Sequence, residues 1–497
     1  MLSGTSMRGK HINNSSTTLE KLLALYVDSD LSDVTLVVGS QMYHVHKLIL
    51  SMCSDVLKTM LTDLKWPEAF KDRIVLSEEP ECCAVFSDFV RYMYTGNIHL
   101  TSQSVLPILT LADKYNLRDL SETCVGFMCE NCDAAADSIF VVSWLQYARL
   151  CSYKQLERHC LHYIEWNFQK VLNSSDFLSM RLETLLGFLH SSSLVVIDEY
   201  SLFVGVRRWL MHQRTSGFVS TSSFERLLQR VVLHIRFSKF KLAQLEQLAQ
   251  DPFVMEFPWI MADTINRDAA PRVHLSVLET HHKHSSRSSS SSVTCCHYEI
   301  HPSRRTFLKT SPGSMPRNYL CEDWSTQLVV ENFKSFEKHA CRTLFFSTPA
   351  SDGRSGVSDD HDDETGWDWQ VDLYPRGIFF PRGVLIGLHE NYLIDEQEHR
   401  TVRVGVIAKC FHGNRHVEIS VLAIARGRDE GSEYVRNIVR KKCIFDSDSC
   451  LYNVDNVIPF AELEDASSSY LTGEDRDTFK IVIIIKPTTD RYDHGED

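Results

Sequence analysis

Asp33-Val34-Thr35-Leu36-Val37-Val38-Gly39-Ser40-Gln41-Met42-Tyr43-His44-Val45-His46-Lys47-Leu48-Ile49-Leu50 changes its hydrophobic period partway along. Val34, Leu36 and Val38 alternate with Thr35 and Val37, as a strand requires. A Gly39-Ser40 turn then returns the chain through Tyr43 and Val45, forming a hairpin. From Lys47 the spacing lengthens. Ile49, Met52, Val56, Leu57 and Met60 fall on one face of a helix expected over 47–61. It stops before Pro67, whose ring disfavours a helical Trp66. Upstream, Leu19, Leu22, Leu23 and Tyr26 recur three and four apart, giving a short helix from Leu19 to Val27. Downstream comes a strand at Ile74–Leu76. A helix with Cys82, Val85, Phe86, Phe89 and Met93 on one side follows and ends near Gly96. Helix, hairpin, helix, strand and helix make a compact α+β unit.

The whole chain has 497 residues, enough for several cores, and 43% of them are apolar against 24% charged, the balance of a folded protein. Lys and Arg number 52 and Asp and Glu 65, a net charge of −13. That deficit of basic residues argues against a nucleic-acid partner. No apolar run is long enough for a membrane-spanning helix. The first residues, Met1 to Thr18, are rich in Ser, Asn and Thr, so no secretory signal is expected. Asn14-Ser15-Ser16 and the overlapping Asn13-Asn14-Ser15 are glycosylation acceptors by pattern alone. Fifteen cysteines are too few for a disulfide scaffold, and their number is odd. A reducing, cytoplasmic location is expected, with secretion as the alternative.

Composition divides the remainder. Residues 1–18 are expected to be disordered and 19–132 to form the α+β unit. Residues 133–262 read as helical only. Residues 263–317, with His281-His282-Lys283-His284 and the serine run Ser285 to Ser292, read as a linker. From 318 to 488 the period becomes two. Val402, Val404 and Val406 alternate, as do Val417, Ile419 and Val421. Ile481-Val482-Ile483-Ile484-Ile485 is a continuous β-branched run. An acidic loop over 351–366 interrupts this mostly β region, and 489–497 are a tail.

Certain stretches carry a family resemblance. Ser32-Asp33-Val34, His44 to Leu50, Ser54, Met60-Leu61 and Tyr92-Met93-Tyr94-Thr95-Gly96-Asn97-Ile98 resemble the BTB/POZ domain. The stripe Leu156, Cys160, Tyr163, Ile164 and Phe168 is followed by Asp176-Phe177, Ile197-Asp198-Glu199 and Arg208-Trp209-Leu210. Together these resemble the all-α BACK domain. Blade-spaced Gly-Gly pairs are absent, so the resemblance to kelch-like adaptors stops near residue 262. Trp367-Asp368-Trp369 running into Leu373-Tyr374-Pro375-Arg376-Gly377 is similar to the MATH/TRAF β-sandwich. This domain order resembles the animal group of BTB/POZ domain-containing protein 17.

The resemblance implies a homodimer that uses the first helix, with Leu19, Leu22, Leu23 and Tyr26 at a two-fold interface. The open alternative is that the stripe packs on its own subunit. It also implies that Trp66-Pro67-Glu68 is a cullin-3-binding motif. A large apolar side chain on a proline-stiffened loop suits an anchor; the alternative is a Trp that covers its own core. The sandwich either recruits a protein substrate or is merely structural.

Other candidates read more plainly. His281, His282, His284, Cys295, Cys296, His297 and His301 fit no closed zinc pattern, and the Asp cluster at 359–363 lacks the Gly and Glu of a calcium loop. The serine run is a phosphorylation candidate or a plain spacer. Cys124, Cys129 and Cys132 read as thiols, and His44 and His46 as packed positions. No nucleophile elbow, phosphate loop or dinucleotide fingerprint occurs, so neither an enzyme nor a cofactor is expected. The expected function is a dimeric, non-enzymatic adaptor and substrate-recognition subunit of a cullin-3 ubiquitin ligase. The alternative is a scaffold or secreted binding protein.

Overall fold

The computed structural model describes residues 14–132, 140–216, 221–257, 315–337, 340–349, 366–377, 401–409, 414–427, 432–447, 449–465 and 467–488. The metal candidates between His281 and His301, the serine run and the Asp cluster at 359–363 lie outside these residues. The described residues fall into two compact units. One holds those up to 132 together with 147–158, and the other holds the rest.

In the first unit, α1 (Ser15–Asp28) begins earlier than expected, so residues 15–18 form its first turn and are not a tail. β1 (Val34–Val38) and β2 (Gln41–Val45) form the expected hairpin, with Val34 opposite Val45 and Val38 opposite Gln41. The predicted helix over 47–61 is broken. α2 (Lys47–Cys53) and α3 (Asp55–Thr62) are separated by Ser54, which sits in extended backbone. Ser54 Oγ donates to the Tyr115 carbonyl at 2.5 Å and accepts the Leu57 N–H at 3.0 Å, so one hydroxyl ends α2 and caps α3. The break resets the helical phase. Leu50, Leu57 and Leu61 are buried, whereas Met52, expected on the buried face, is 75% exposed.

β3 (Arg73–Leu76) then pairs parallel to β1, completing a sheet of order β2-β1-β3. α4 (Pro80–Thr95) buries Cys82, Phe86, Phe89, Val90 and Met93. It stops at Gly96, whose φ of +66° is the left-handed conformation that glycine tolerates best. α5 (Val105–Lys114) and α6 (Arg118–Asn131) follow. Next come α7 (Val141–Cys151) and α8 (Lys154–Trp166). Asp113 on α5 accepts from the Tyr147 and Tyr153 hydroxyls at 2.7 and 2.6 Å and from Ser121 Oγ at 2.8 Å. Those bonds hold 147–158 within this unit.

In the second unit, the helices continue as α9 (Phe168–Asn173) and α10 (Leu182–His190). A short β4 (Val195–Val196) precedes α11 (Glu199–Thr215), α12 (Thr221–Val232), α13 (Leu242–Ala249) and α14 (Pro252–Glu256). The strands after Met315 are β5 (Asn318–Tyr319), β6 (Ser325–Val330), β7 (Arg342–Pro349), β8 (Gly366–Tyr374) and β9 (Arg403–Lys409). β10 (Arg415–Arg426), β11 (Glu433–Phe445) and β12 (Leu451–Val454) follow; α15 (Phe460–Glu464) precedes β13 (Phe479–Pro487). They form two four-stranded sheets, β11-β10-β13-β6 and β12-β9-β8-β7. β5 leaves the sandwich to pair parallel with β4 of the helical region.

Trp369 is fully buried in the sandwich. Its indole N–H donates to Thr348 Oγ1 at 2.9 Å, and its ring meets Phe445 edge-on at 5.2 Å. The run Ile481–Ile485 does not alternate because β13 is covered on both faces. Ile481, Ile483 and Ile485 share the face that points into the sandwich. Val482 and Ile484 share the other with Leu422 and Ile424, packed against Val195, Trp166 and Leu320. The helical region therefore covers the outer face of that sheet. Arg317, expected as the last residue of the linker, is wholly buried at the same junction.

Trp369→Ala removes a buried aromatic and orphans the Thr348 hydroxyl. It should destabilise the protein by about 3–5 kcal/mol, measured as a lowered urea midpoint of the sandwich transition.

Candidate protein-interaction surfaces

The turn after α3 carries the first candidate. Trp66 N–H bonds back to the Asp63 carbonyl at 2.9 Å, and Pro67 opens a single 3-10 turn over Pro67–Phe70, so the segment has its own backbone hydrogen bonds. Lys47 Nζ reaches over to the Ala69 carbonyl at 3.3 Å. Held this way, Trp66 is 50% exposed and Phe70 71% exposed, with Leu64 also at the surface. Half of the indole therefore faces solvent. Glu68 faces Lys71 Nζ at 3.2 Å. A hydrogen bond from its own backbone, then the Lys71 ammonium, hold its carboxyl below the usual range. The turn thus offers an apolar ring beside a carboxylate that stays ionised.

α1 carries the second candidate. Its Tyr26 packs on α4, with its ring 5.2 Å from Tyr94 and its hydroxyl 3.5 Å from the Ser87 carbonyl. One side of the helix therefore uses its own subunit. Leu22 and Leu23 are only half-buried and Leu19 is exposed, which leaves apolar surface on the same helix.

The outward face of β12-β9-β8-β7 supplies a third surface, which strand register assembles from distant residues. Phe345 lies opposite Gln370, Gln370 opposite Ile407, and Ile407 opposite Leu451, a single row across all four strands. Phe345 is 69% exposed and Leu451 also lies at the surface. The row is flanked by Asp368, which accepts from Ser347 and has Lys409 directly across on β9, and by Asp372, which accepts from Thr343 and Gln370. Gly405 beside the row is closely covered; a Cβ there would lie 3.2 Å from Asn453 Oδ1 and 3.6 Å from Leu451 Cδ1.

Comparison with known proteins gives these surfaces their context. The BTB/POZ domain family matches residues 22–132, the family described as "BTB And C-terminal Kelch" (BACK) matches 141–250, and the BTBD17 TRAF domain matches 314–489. The chain carries BTB/POZ, BACK and TRAF domains, in that order. It is similar to BTB/POZ domain-containing protein 17 of Xenopus laevis, 23% identical over 96% of this chain and 91% of the relative. Against the human protein of that name it is 26% identical over 78% of this chain and 71% of the relative. Human Kelch-like protein 6 is 29% identical over 39% of this chain and 30% of its own length, which relates the BTB and BACK portion to the kelch-like proteins.

Other residues singled out in the sequence have structural partners. His46 lies between the Tyr94 hydroxyl and the Asp30 carbonyl, each at 2.7 Å, while exposed His44 meets Thr35 Oγ1 at 3.0 Å. The two rings share no partner in these bonds. Among the described residues no cluster of His, Cys, Asp and Glu is placed to hold a metal, and no helix is long and apolar enough to cross a membrane. The sequence does not reveal one buried polar group as a unit: Glu199, Arg317 and Tyr319 lie between BACK helices and TRAF strands, with Tyr319 Oη donating to Glu199 Oε2 at 2.8 Å. Glu199 was visible only as part of a family pattern. Nothing in a Pro316-Arg317-Asn318 segment signals a charge taken out of water.

The cysteines separate by reactivity. Burial pushes the Cys124 thiol up to about 12, while Cys151, Cys341 and Cys450 are exposed. Thiolate is the reactive form. Mass spectrometry after brief native alkylation should find the exposed three modified, and Cys124, Cys132 and Cys160 modified only after unfolding.

Proposed function

We propose that this BTB–BACK–TRAF protein is a homodimeric, non-enzymatic adaptor that binds cullin-3 through Trp66-Pro67-Glu68 and selects a protein for ubiquitination with its TRAF domain. The observation that carries this reading is the half-exposed Trp66 on a turn fixed by Pro67 and by its own backbone bonds. A pre-ordered apolar anchor loses little entropy on binding and can dominate an interface. Exposed Phe70 and Leu64 extend the apolar contact, and ionised Glu68 suits a cation on the partner. Such an adaptor supplies proximity in place of reactive groups, raising the effective concentration of target near the ligase.

The TRAF domain suits target selection through the row Phe345–Gln370–Ile407–Leu451. Apolar side chains give area, and Asp368 and Asp372 favour a target segment that places a Lys or Arg beside bulky apolar residues. Dimerisation through the Leu19, Leu22 and Leu23 side of α1 would present two target sites on one two-fold axis.

Two measurements test the reading. A cullin-3 N-terminal fragment should bind the Trp66→Ala/Glu68→Ala double variant at least about 30-fold more weakly, the loss of an anchor worth roughly 2 kcal/mol, with the circular dichroism unchanged. Equal binding by the folded double variant would leave a scaffold without a ligase. In sedimentation equilibrium the wild type should run at twice the chain mass, and Leu19→Glu/Leu23→Glu at the chain mass.

A further inference from the structure

The residues that join α14 to the TRAF strands have the Ser- and His-rich composition of a linker, which by itself connects two domains without fixing them together. The contacts between BACK and TRAF run against that. Three successive BACK carbonyls after α10 are each taken by donors of the C-terminal region. Ser191 O accepts Arg317 Nη1 at 2.6 Å, Ser192 O accepts Lys486 Nζ at 2.9 Å, and Ser193 O accepts Asn318 Nδ2 at 2.9 Å. Arg317 also meets Glu199 Oε2 at 3.1 Å and the His234 carbonyl at 2.9 Å, and both members of the ion pair are completely buried. Arg236 N–H holds the other Glu199 oxygen at 3.0 Å.

At the far end of the seam, the Asn167 side-chain amide acts as a strand partner. It donates to the Val435 carbonyl at 3.0 Å and accepts the Val435 N–H at 2.8 Å. Between the two ends lies the apolar cluster of Val195, Leu422, Ile424, Val435, Val482 and Ile484. A buried ion pair loses its compensation if the two sides part, and so do these backbone groups and the apolar face. Separation is therefore opposed by charge, hydrogen bonding and hydrophobic burial together.

We propose that the BACK helices and the TRAF domain form one cooperative arm of fixed geometry, latched by Glu199 and Arg317. The part of the outer face of β11-β10-β13-β6 around Leu422 and Ile484 is consequently covered by the helices, while Gln327, Glu433 and Lys480 line a cavity of about 220 Å³ where that cover ends. The proposal is independent of whether cullin-3 binds at Trp66.

Hydrogen–deuterium exchange of the full chain along a urea titration tests it. In the wild type, peptides from α9, from 191–203, and from β10 and β13 should lose protection at one shared midpoint. Arg317→Met should split the BACK and TRAF peptides into two midpoints and speed exchange at 191–196 roughly 100-fold, because it strands Glu199 without its partner. Asn167→Ala, which leaves the latch intact, should split them less and serves if Arg317→Met does not fold. Two midpoints in the wild type would overturn the proposal. So would a single unchanged midpoint in the folded Arg317→Met variant or, where that variant does not fold, in Asn167→Ala.

Discussion

A charge held away from water must be answered by protein groups, and in this chain that requirement decides how the C-terminal half is put together. Glu199 has no exposure, and it is met by the Arg317 guanidinium, the Tyr319 hydroxyl and the Arg236 N–H. These partners come from the segment just after α12 and from a stretch more than a hundred residues beyond Glu199 in the chain. Burial holds the Tyr319 phenol far above its ordinary value, with Glu199 adding to the effect, so it remains a neutral donor. β5 is placed by this cluster, and through β5 the first strand of the sandwich is set against the helices.

The N-terminal fold was legible because its signals are local. Alternation in Val34–Val38, the Gly39-Ser40 turn and the stop at Gly96 each act over a few residues, and the structure follows them. Where the reading went astray, a side chain reached outside its local window. Ser54 looks like one more helical residue until its hydroxyl meets Tyr115, and that bond turns one helix into two and brings Met52 to the surface. The continuous run at Ile481–Ile485 did announce a strand, but it could not say that both faces are covered, one of them by helices of the BACK domain. Arg317 shows the same limit, since a polar residue at the end of a Ser- and Pro-rich stretch resembles linker until its partners are known.

The candidate surfaces divide in the same way. Trp66 beside Pro67 is readable as an anchor because residue type and loop stiffness are sequence properties, and its exposure follows from a turn that satisfies itself. The row from Phe345 to Leu451 was unreadable. Its members lie far apart in the chain and meet only through the registers of three strand pairs. Each of them taken alone is an ordinary strand residue.

Asn167 bears on the solubility of the sandwich. β11 is an edge strand, and its Val435 amide and carbonyl would otherwise offer themselves to any passing chain. A C-terminal fragment cut at the linker would bare that edge and the greasy sheet of Leu422, Ile424, Val482 and Ile484 together, the combination from which filaments and inclusion bodies grow. A proteolytic fragment of this kind is thus a hazard to the cell that makes it, and the helices act as a built-in chaperone for the strands they cover.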